Sequence, residues 1–273
     1  MNSLMLNTDG VQIPQLGYGV WQVPADEAEQ AVRTALKTGY RHVDTAAAYD
    51  NEEGVGRAVR ESGLPREKVF VTTKLWNGDH GRAEAAFDES LARLGLDYVD
   101  LYLMHWPVPK QDKYVQAWKA MEKIYRDGRA KAIGVSNFTV ETLTRLMNET
   151  DITPSINQIE LHPYLQQREM RRFHEANGIL TEAWSPLGQG KGLLDDPALK
   201  VLSDKHGKTP AQIVLRWQLQ VGNVVIPKSV TPSRIAENID VFGFILDTED
   251  LAAIGAMNKG RRFGPDPDTF NMT

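Results

Sequence analysis

The sequence has no cysteine among its 273 residues. That absence excludes disulfide bonds, thiolate nucleophiles and cysteine-ligated metal sites. The six histidines are scattered, and no two of them have the spacing of metal ligands, which argues against a zinc site. Charge of one sign is not concentrated either, because a net charge of −5 is spread over mixed acidic and basic residues. This balance argues against nucleic acid as a partner.

Long hydrophobic runs are also missing. No apolar run approaches the roughly 20 residues that span a bilayer, and the chain does not begin with a basic segment followed by an apolar one. We therefore expect no membrane span and no signal peptide. Repeats, low-complexity segments and Pro/Gly/Ser-rich linkers are absent from the middle of the sequence. These features predict a cytoplasmic protein with a single domain over residues 1–273, large enough to bury a full core.

The sequence does contain a regular alternation of short β-rich runs and longer helical stretches. Strands are predicted at 16–20, 41–44, 69–74, 99–104, 132–136, 156–159, 180–183 and 224–226. Helices are predicted at 26–38, 82–94, 115–127, 140–149, 168–176 and 210–220. Strands that alternate with helices of this length indicate parallel βαβ units. With about eight such strands, the α/β pattern predicts a closed (β/α)₈ TIM barrel.

Both ends of the chain depart from this alternation. Residues 4–7 and 11–14 flank Asp9 and Gly10, a pair typical of a type I′ β-hairpin turn. We expect this N-terminal hairpin to cap the bottom of the barrel, where core side chains would otherwise be exposed. The tail from Asn258 onward is rich in glycine and proline, which predicts an irregular C-terminal loop over the rim.

Proton-handling residues stand at the ends of three predicted strands. Asp44 ends the strand at 41–44, Lys74 ends the strand at 69–74, and His105 follows the strand at 99–104. Tyr49 lies in the loop after Asp44. Because catalytic groups of a TIM barrel sit at the carboxyl ends of its strands, we predict that these four side chains meet on one rim.

These four residue types together suit acid catalysis on a carbonyl group. A buried Lys74 ammonium needs an opposite charge, which Asp44 can supply. The ammonium favours the phenolate form of Tyr49, so we expect it to lower the tyrosine pKa from about 10 and make the phenol a usable acid near neutral pH. His105 can donate a hydrogen bond to the same substrate oxygen and orient it.

Each of these residues alone also has an ordinary structural interpretation. Asp44 and Lys74 can form an internal ion pair of the barrel, with no part in chemistry. Tyr49 can be a surface aromatic residue, and His105 a buried polar group with its hydrogen bonds satisfied. Their joint occurrence favours an active site, because a barrel needs no such cluster for packing.

The sequence resembles the aldo-keto reductase family in several motifs that occur in the family's order. GYRHVDTAAAYDNEEGVG at 39–56 matches the first family signature, and Asp44, Tyr49, Lys74 and His105 match the catalytic tetrad. Further matches are IGVSN at 133–137, NQIELHP at 157–163, SPLGQGKG at 185–192 and IPKSV at 226–230. Among the subgroups, the chain is most similar to the bacterial 2,5-diketo-D-gluconate reductases.

The resemblance implies an NADPH-dependent oxidoreductase that reduces aldehyde or ketone groups of small carbonyl compounds to alcohols by hydride transfer. Diketo acids, dicarbonyls and aldehydes are the substrate classes that it implies, with a monomer as the working form. In that scheme Tyr49 is the proton donor, Lys74 and Asp44 tune it, and His105 orients the substrate.

The cofactor site is also implied by the resemblance. The cofactor-binding residues would be Ser136, Asn137, Gln158, Trp184, Ser185, Leu187, Gly188, Gln189, Gly190, Lys228, Ser229, Val230, Thr231, Arg234, Glu237 and Asn238. The first three would bind the nicotinamide carboxamide, and the tryptophan would stack on the ring, although it can also simply close the top layer of the barrel. No GxGxxG follows a predicted strand, so a Rossmann domain is not supported and the dinucleotide would lie across the barrel rim.

The segment from Lys228 to Asn238 favours NADPH over NADH. Lys228, Ser229 and Arg234 gather near a predicted helix start, a setting that suits a phosphate monoester. By the resemblance they would bind the 2′-phosphate, with Glu237 and Asn238 near adenine. Without the resemblance, a solvated helix face is the first interpretation of the same residues.

Three tryptophans are predicted to line an aromatic substrate pocket. Trp21, Trp76 and Trp106 lie at or near the ends of predicted strands. Two other classes of function remain open. A lysine at a strand end can form an imine, so Lys74 could make the protein a Schiff-base lyase. The same fold could also serve as a non-catalytic NADPH-binding module.

Overall fold

The chain begins with an antiparallel pair of short strands. A computed structural model describes residues 3–6 and 10–273. Strand β1 (Ser3–Met5) pairs with β2 (Gln12–Pro14), as the hairpin prediction requires. The predicted type I′ turn falls partly on residues 7–9, which lie outside the described ranges.

This hairpin packs against the amino-terminal ends of the barrel strands. Leu6 and Ile13 are buried in one apolar cluster with Phe70, Leu101 and Ile156. Each of the last three residues begins a strand of the barrel. The hairpin therefore covers the bottom of the barrel, and the prediction of its position is confirmed.

Eight parallel strands form the barrel itself. In chain order they are β3 (Tyr18–Gly19), β4 (His42–Asp44), β5 (Phe70–Leu75), β6 (Leu101–Met104), β7 (Ile133–Ser136), β8 (Ile156–Glu160), β9 (Leu180–Trp184) and β10 (Val224–Val225). Neighbours in sequence are neighbours in the sheet. The first and last strands meet where the Gly17 amide donates to the Val225 carbonyl oxygen at 2.8 Å, and the Gly19 amide donates to Pro227 at 3.1 Å. The predicted (β/α)₈ barrel is confirmed.

Helices surround the barrel. In the described residues they are α1 (Ala25–Thr38), α2 (Glu52–Arg60), α3 (Ala83–Leu94), α4 (Tyr114–Arg126), α5 (Val140–Glu149), α6 (Arg168–Ala176), α7 (Pro197–His206), α8 (Pro210–Gln220), α9 (Pro232–Ile239) and α10 (Thr248–Ala256). Clear punctuation explains several of their ends: Thr209 and Gln212 form a capping box at the start of α8, and Gly39 ends α1 in a left-handed conformation. Within the ranges that the structure describes, no helix is long and apolar enough to cross a membrane.

Helices α2 and α3 approach each other through a glycine. A Cβ atom at Gly56 would lie 1.9 Å from the carbonyl oxygen of Leu94, and one at Gly54 would lie 3.1 Å from the Cβ of Ala28. Because no side chain fits at Gly56, the backbones of the two helices can touch there. This contact positions α2, which begins three residues after Tyr49.

The C-terminal tail crosses the top of the barrel. The ring of Phe270 lies against Trp106 with 4.3 Å between ring centroids. The Asn77 side-chain amide donates to the Met272 carbonyl oxygen at 2.8 Å. The predicted loop over the rim is confirmed, and it is fastened to the loops that follow β5 and β6.

Candidate active site

Lys74 and Asp44 form a buried ion pair at the carboxyl ends of β5 and β4. Lys74 Nζ lies 2.7 Å from Asp44 Oδ1, and the two side chains are 0% and 2% exposed. The same ammonium donates to the Thr45 carbonyl oxygen at 2.8 Å and to the Tyr49 hydroxyl at 3.4 Å. Its three N–H groups thus each have an acceptor. Burial by itself lowers the pKa of Lys74. The negative charge of Asp44 and the other contacts of the ammonium outweigh the effect of burial, so the pKa of Lys74 is raised.

Tyr49 closes a short 3₁₀ turn, Ala47–Tyr49, between β4 and α2. The buried side chain of Asn51 holds this loop, since Thr45 Oγ1 donates to Asn51 Oδ1 at 2.8 Å. Burial raises the pKa of Tyr49, and the charge of Lys74 offsets only part of that rise. The expectation that Lys74 brings this pKa below its ordinary value is therefore wrong. The phenol is protonated at neutral pH, as a proton donor must be.

His105 follows β6 and borders two other aromatic rings of the site. Its ring centroid lies 5.6 Å from that of Tyr49 and 5.3 Å from that of Trp76, both in edge-to-face geometry. Burial, together with the positive charge of Lys74, holds the pKa of His105 well below its ordinary value. The imidazole is therefore neutral near pH 7 and can donate a single N–H to an oxygen in the site.

A cavity of about 1500 Å³ opens above these residues. Asp44, Tyr49 and His105 line it, while Lys74 lies behind them. The three tryptophans predicted for the substrate pocket, Trp21, Trp76 and Trp106, all line the same cavity. The four proton-handling residues and the aromatic walls are thus brought together as predicted.

Most of the predicted cofactor residues line this cavity too. They are Ser136, Asn137, Gln158, Trp184, Ser185, Leu187, Gln189, Gly190, Lys228, Ser229, Arg234, Glu237 and Asn238. Gly188, Val230 and Thr231 do not. A Cβ at Gly188 would lie 2.7 Å from the Cβ of Leu193, so this glycine packs against Leu193 and not on the cavity surface. Thr231 immediately precedes α9.

Hydrogen bonds connect the polar residues near His105. Trp184 Nε1 donates to Asn137 Oδ1 at 2.8 Å, and Asn137 Nδ2 donates to the His105 carbonyl oxygen at 3.0 Å. The hydroxyl of Ser136 donates to the Gln158 carbonyl oxygen at 2.8 Å. The tryptophan and the ends of β6, β7 and β8 are therefore held in one fixed arrangement.

Gln158 also joins two buried carboxyl groups. Its Nε2 atom donates to Asp44 Oδ2 at 2.8 Å and to Glu182 Oε2 at 3.0 Å. Sequence reasoning missed Glu182. The available signal was its place two residues before Trp184, on the same face of β9.

The opposite end of the cavity is positively charged. Lys228 and Arg234 are exposed, and neither forms an ion pair within the described part of the chain. The Tyr18 hydroxyl donates to the Ser229 carbonyl oxygen at 2.5 Å, which holds the loop before α9. The carboxylate of Glu237 accepts a hydrogen bond from Thr209 Oγ1 at 2.7 Å.

Tail residues form one wall of the cavity. The sequence predicted a loop over the rim, but none of these residues was among the predicted site residues. They are Phe263, Gly264, Pro265, Phe270, Met272 and Thr273. The buried carboxylate of Glu160 fixes this wall by accepting hydrogen bonds from the Phe263 and Gly264 amides at 2.6 and 3.0 Å. The sequence signal for this contact was the position of Glu160 itself, a charged residue inside the otherwise uncharged or apolar start of NQIELHP.

Comparisons with known proteins agree with this architecture. The model of the aldo/keto reductase family matches residues 14–259. The chain is 57% identical over 267 residues to an aldo-keto reductase of Mycolicibacterium smegmatis, covering 97% of each chain. It is 56% identical over 263 residues to the methylglyoxal reductase DkgA of Escherichia coli K12, covering 96% of each.

Solved structures are similar over nearly the whole chain. An aldo/keto reductase from Brucella melitensis has a TM-score of 0.90 at 54% identity, covering 94% of this chain and 99% of that one. A Gox0644 mutant in complex with NADPH has a TM-score of 0.94 at 48% identity, covering 98% of both chains. Taken with the barrel and its cluster of proton-handling side chains, these matches show that the chain belongs to the aldo/keto reductase family.

Proposed function

We propose that this protein reduces small aldehydes and ketones to alcohols with NADPH. The observation that carries the proposal is the contact of the buried Lys74 ammonium with both the Asp44 carboxylate and the Tyr49 hydroxyl at the base of a large cavity. Such a unit holds a protonated phenol beside a fixed positive charge, which is the arrangement that general acid catalysis on a carbonyl oxygen needs.

The residues along the cavity fit a nicotinamide dinucleotide phosphate. Gln158 uses its Nε2 atom for two carboxyl groups, and within the described residues no group donates to its Oε1 atom, which leaves that oxygen for a carboxamide. At the other end, Lys228 and Arg234, which form no ion pair among the residues that the structure describes, suit a phosphate monoester. The related Gox0644 mutant was solved with NADPH. When bound, such a cofactor supplies the hydride.

The protein's own residues then handle the proton. Tyr49 gives its hydroxyl proton to the carbonyl oxygen of the substrate, and Lys74 stabilises the phenolate that remains. Asp44 keeps Lys74 charged and in place. The neutral imidazole of His105 donates a hydrogen bond to the same carbonyl oxygen and holds it near the phenol.

The burial of Lys74 argues against imine chemistry. Its side chain has no exposed surface, it does not line the cavity, and its pKa is raised. A Schiff base requires an accessible, deprotonated amine. A lyase function therefore has no support in this geometry.

Small dicarbonyl compounds are the substrates that we propose first, ahead of diketo acids and aromatic aldehydes. The relative from E. coli is a methylglyoxal reductase, and Trp21, Trp76 and Trp106 give the cavity flat apolar walls. The test is a panel of a methylglyoxal-type dicarbonyl, a diketo acid and an aromatic aldehyde, each with NADPH, followed by the loss of NADPH absorbance.

We expect turnover of at least one panel member, with NADPH preferred over NADH. Tight NADPH binding without turnover of any carbonyl would instead support a binding module. Covalent trapping of a substrate on Lys74 by borohydride, without NADPH oxidation, would support a lyase.

A further inference from the structure

Glu182 is a buried carboxyl group that the proton-transfer scheme above does not use. It lies on β9 with no exposed surface. Gln158 Nε2 donates to its Oε2 atom at 3.0 Å, while its Oε1 atom has no hydrogen-bond partner in the described residues. His42 Nε2 lies 3.8 Å from that same Oε1 atom. A carboxyl oxygen in such a place is poorly suited to carry a negative charge.

The interior of the barrel brings two carboxyl groups close to one ammonium. Lys74 contacts Asp44 directly at 2.7 Å, whereas Glu182 reaches Asp44 only through the amide of Gln158. Because two carboxylates cannot both be compensated by one cation here, one of them holds a proton at neutral pH. Burial and the charge of Asp44 raise the pKa of Glu182 to about 8, which places that proton on Glu182.

The other groups around Glu182 do not supply a compensating charge. Burial lowers the pKa of His42, its neighbour on β4, to about 4, so the ring is neutral. The residues in register on the flanking strands, Gln158 and Val224, are uncharged. The preceding residue, Thr181, contacts His174 of α6. Lys74, Asp44 and Tyr49 are thus the groups whose charge is linked to that of Glu182.

We propose that Glu182 is a positioning residue that sets the acidity of Tyr49 through the Gln158–Asp44–Lys74 chain. This inference rests on the proposed function, because it assigns Tyr49 the role of proton donor. When Glu182 loses its proton in mildly alkaline solution, the new negative charge favours the Lys74 ammonium and disfavours the Tyr49 phenolate. Ionised Glu182 therefore holds the phenol protonated at pH values where it would otherwise begin to ionise.

The reverse reaction makes this effect measurable. Oxidation of an alcohol requires Tyr49 as the phenolate, so the alkaline rise of kcat with pH follows its ionisation. In Glu182→Gln the shape and the contact with Gln158 remain but the charge cannot form. We expect the midpoint of that rise to move to lower pH by about one unit, a size typical of removing one nearby charge in a protein interior. An unmoved midpoint in a folded variant would overturn the proposal.

Two further variants separate charge from packing. Glu182→Asp keeps a titratable carboxyl, so its midpoint should lie closer to that of the wild type than to that of Glu182→Gln. Thr181→Val alters the adjacent residue of β9 and removes its contact with His174, without changing the charge beside Asp44. We expect it to keep the wild-type midpoint. A shift in Thr181→Val equal to that in Glu182→Gln would show a merely structural effect and overturn the proposal.

A direct titration needs no turnover, and its decisive spectrum is that of the wild-type protein. In wild-type protein with ¹³C-labelled glutamate carboxyl groups, NMR should show one glutamate that titrates near pH 8, and Glu182→Gln should lack that signal. A wild-type spectrum in which every glutamate titrates below pH 6 would overturn the inference. If the protein reduces no carbonyl, the proposed function fails but this titration still reports on Glu182. If reduction proceeds normally and the titration is absent, only the present inference fails.

Discussion

Removing the Tyr49 hydroxyl should abolish most of the activity and leave the fold intact. Within the described residues, its hydrogen-bond partner is Lys74 Nζ, at the long distance of 3.4 Å. In Tyr49→Phe the ammonium keeps Asp44 at 2.7 Å and Thr45 at 2.8 Å. We therefore expect the free energy of unfolding to change by no more than about 1 kcal/mol. The rate of carbonyl reduction should fall by about 10²–10⁴-fold, because a positioned general acid contributes that much.

The measurement is kcat for NADPH-dependent carbonyl reduction, with urea unfolding and NADPH affinity determined on the same sample. Tyr98→Phe is a matched control, because Tyr98 lies near the hairpin at the other end of the barrel and keeps its ring contact with Arg66. That variant should retain wild-type kcat. If Tyr49→Phe keeps activity within a few fold of the wild type, another group donates the proton and the assignment is wrong.

Three further predictions test the ends of the cavity and the buried charges. Arg234→Ala should raise the KM for NADPH by about 10–100-fold, the value of one charge-assisted hydrogen bond, and leave the KM for NADH unchanged. An equal rise in KM for both cofactors would contradict the 2′-phosphate role. Asp44→Asn leaves the Lys74 ammonium buried without its counter-charge, so urea unfolding should show that the free energy of unfolding falls by about 3–5 kcal/mol. A fall below about 1 kcal/mol would refute the pairing. Burial lowers the pKa of His42 and of His174 to about 4 from an ordinary 6.5. The unfolded chain therefore binds more protons than the folded chain between these pH values, and the free energy of unfolding should fall as pH drops from 6.5 towards 4. An unfolding midpoint that stays constant over that range would contradict the neutral state of these two buried histidines.

The six helices predicted by periodicity could be placed because their ends carry local chemical signals, whereas α2, α7 and α10 were not predicted. The capping Thr209 and the proline after it mark the start of α8, and Gly39 marks the end of α1. Strand β3 is only Tyr18–Gly19, shorter than predicted. Leu16 forms just an isolated bridge with Val225, and the Gly19 amide donates to Pro227, which lies beyond the end of β10. Hydrogen bonds between distant segments decide such a boundary, and the local sequence does not contain them.

The proton-handling residues could be predicted because Asp44, Lys74 and His105 each stand where an apolar run ends, and Tyr49 follows in the next loop. Glu182 was not predicted, because the sequence indicates only that it shares a face of β9 with Trp184, and its partnership with Asp44 depends on the register that sets Gln158 beside it. Phe270 lies in a tail without periodicity, so nothing local indicated that it would stack on Trp106. The predicted fall in the pKa of Tyr49 failed because the cost of burial depends on the surrounding fold.

The contact at Gly56 bears on how the family signature should be interpreted in other chains. That motif spans both the proton donor and a position where the two helices touch, with no room for even a methyl group beside Leu94. A natural or designed chain could therefore keep Asp44, Tyr49, Lys74 and His105 and still lose activity through alanine at this position. Displacement of α2 would shift the turn that carries the phenol, and a displacement of about 1 Å is enough to cost catalysis two orders of magnitude. The four reactive side chains are thus an incomplete criterion for an active member of the family. A complete criterion also includes the glycine at position 56.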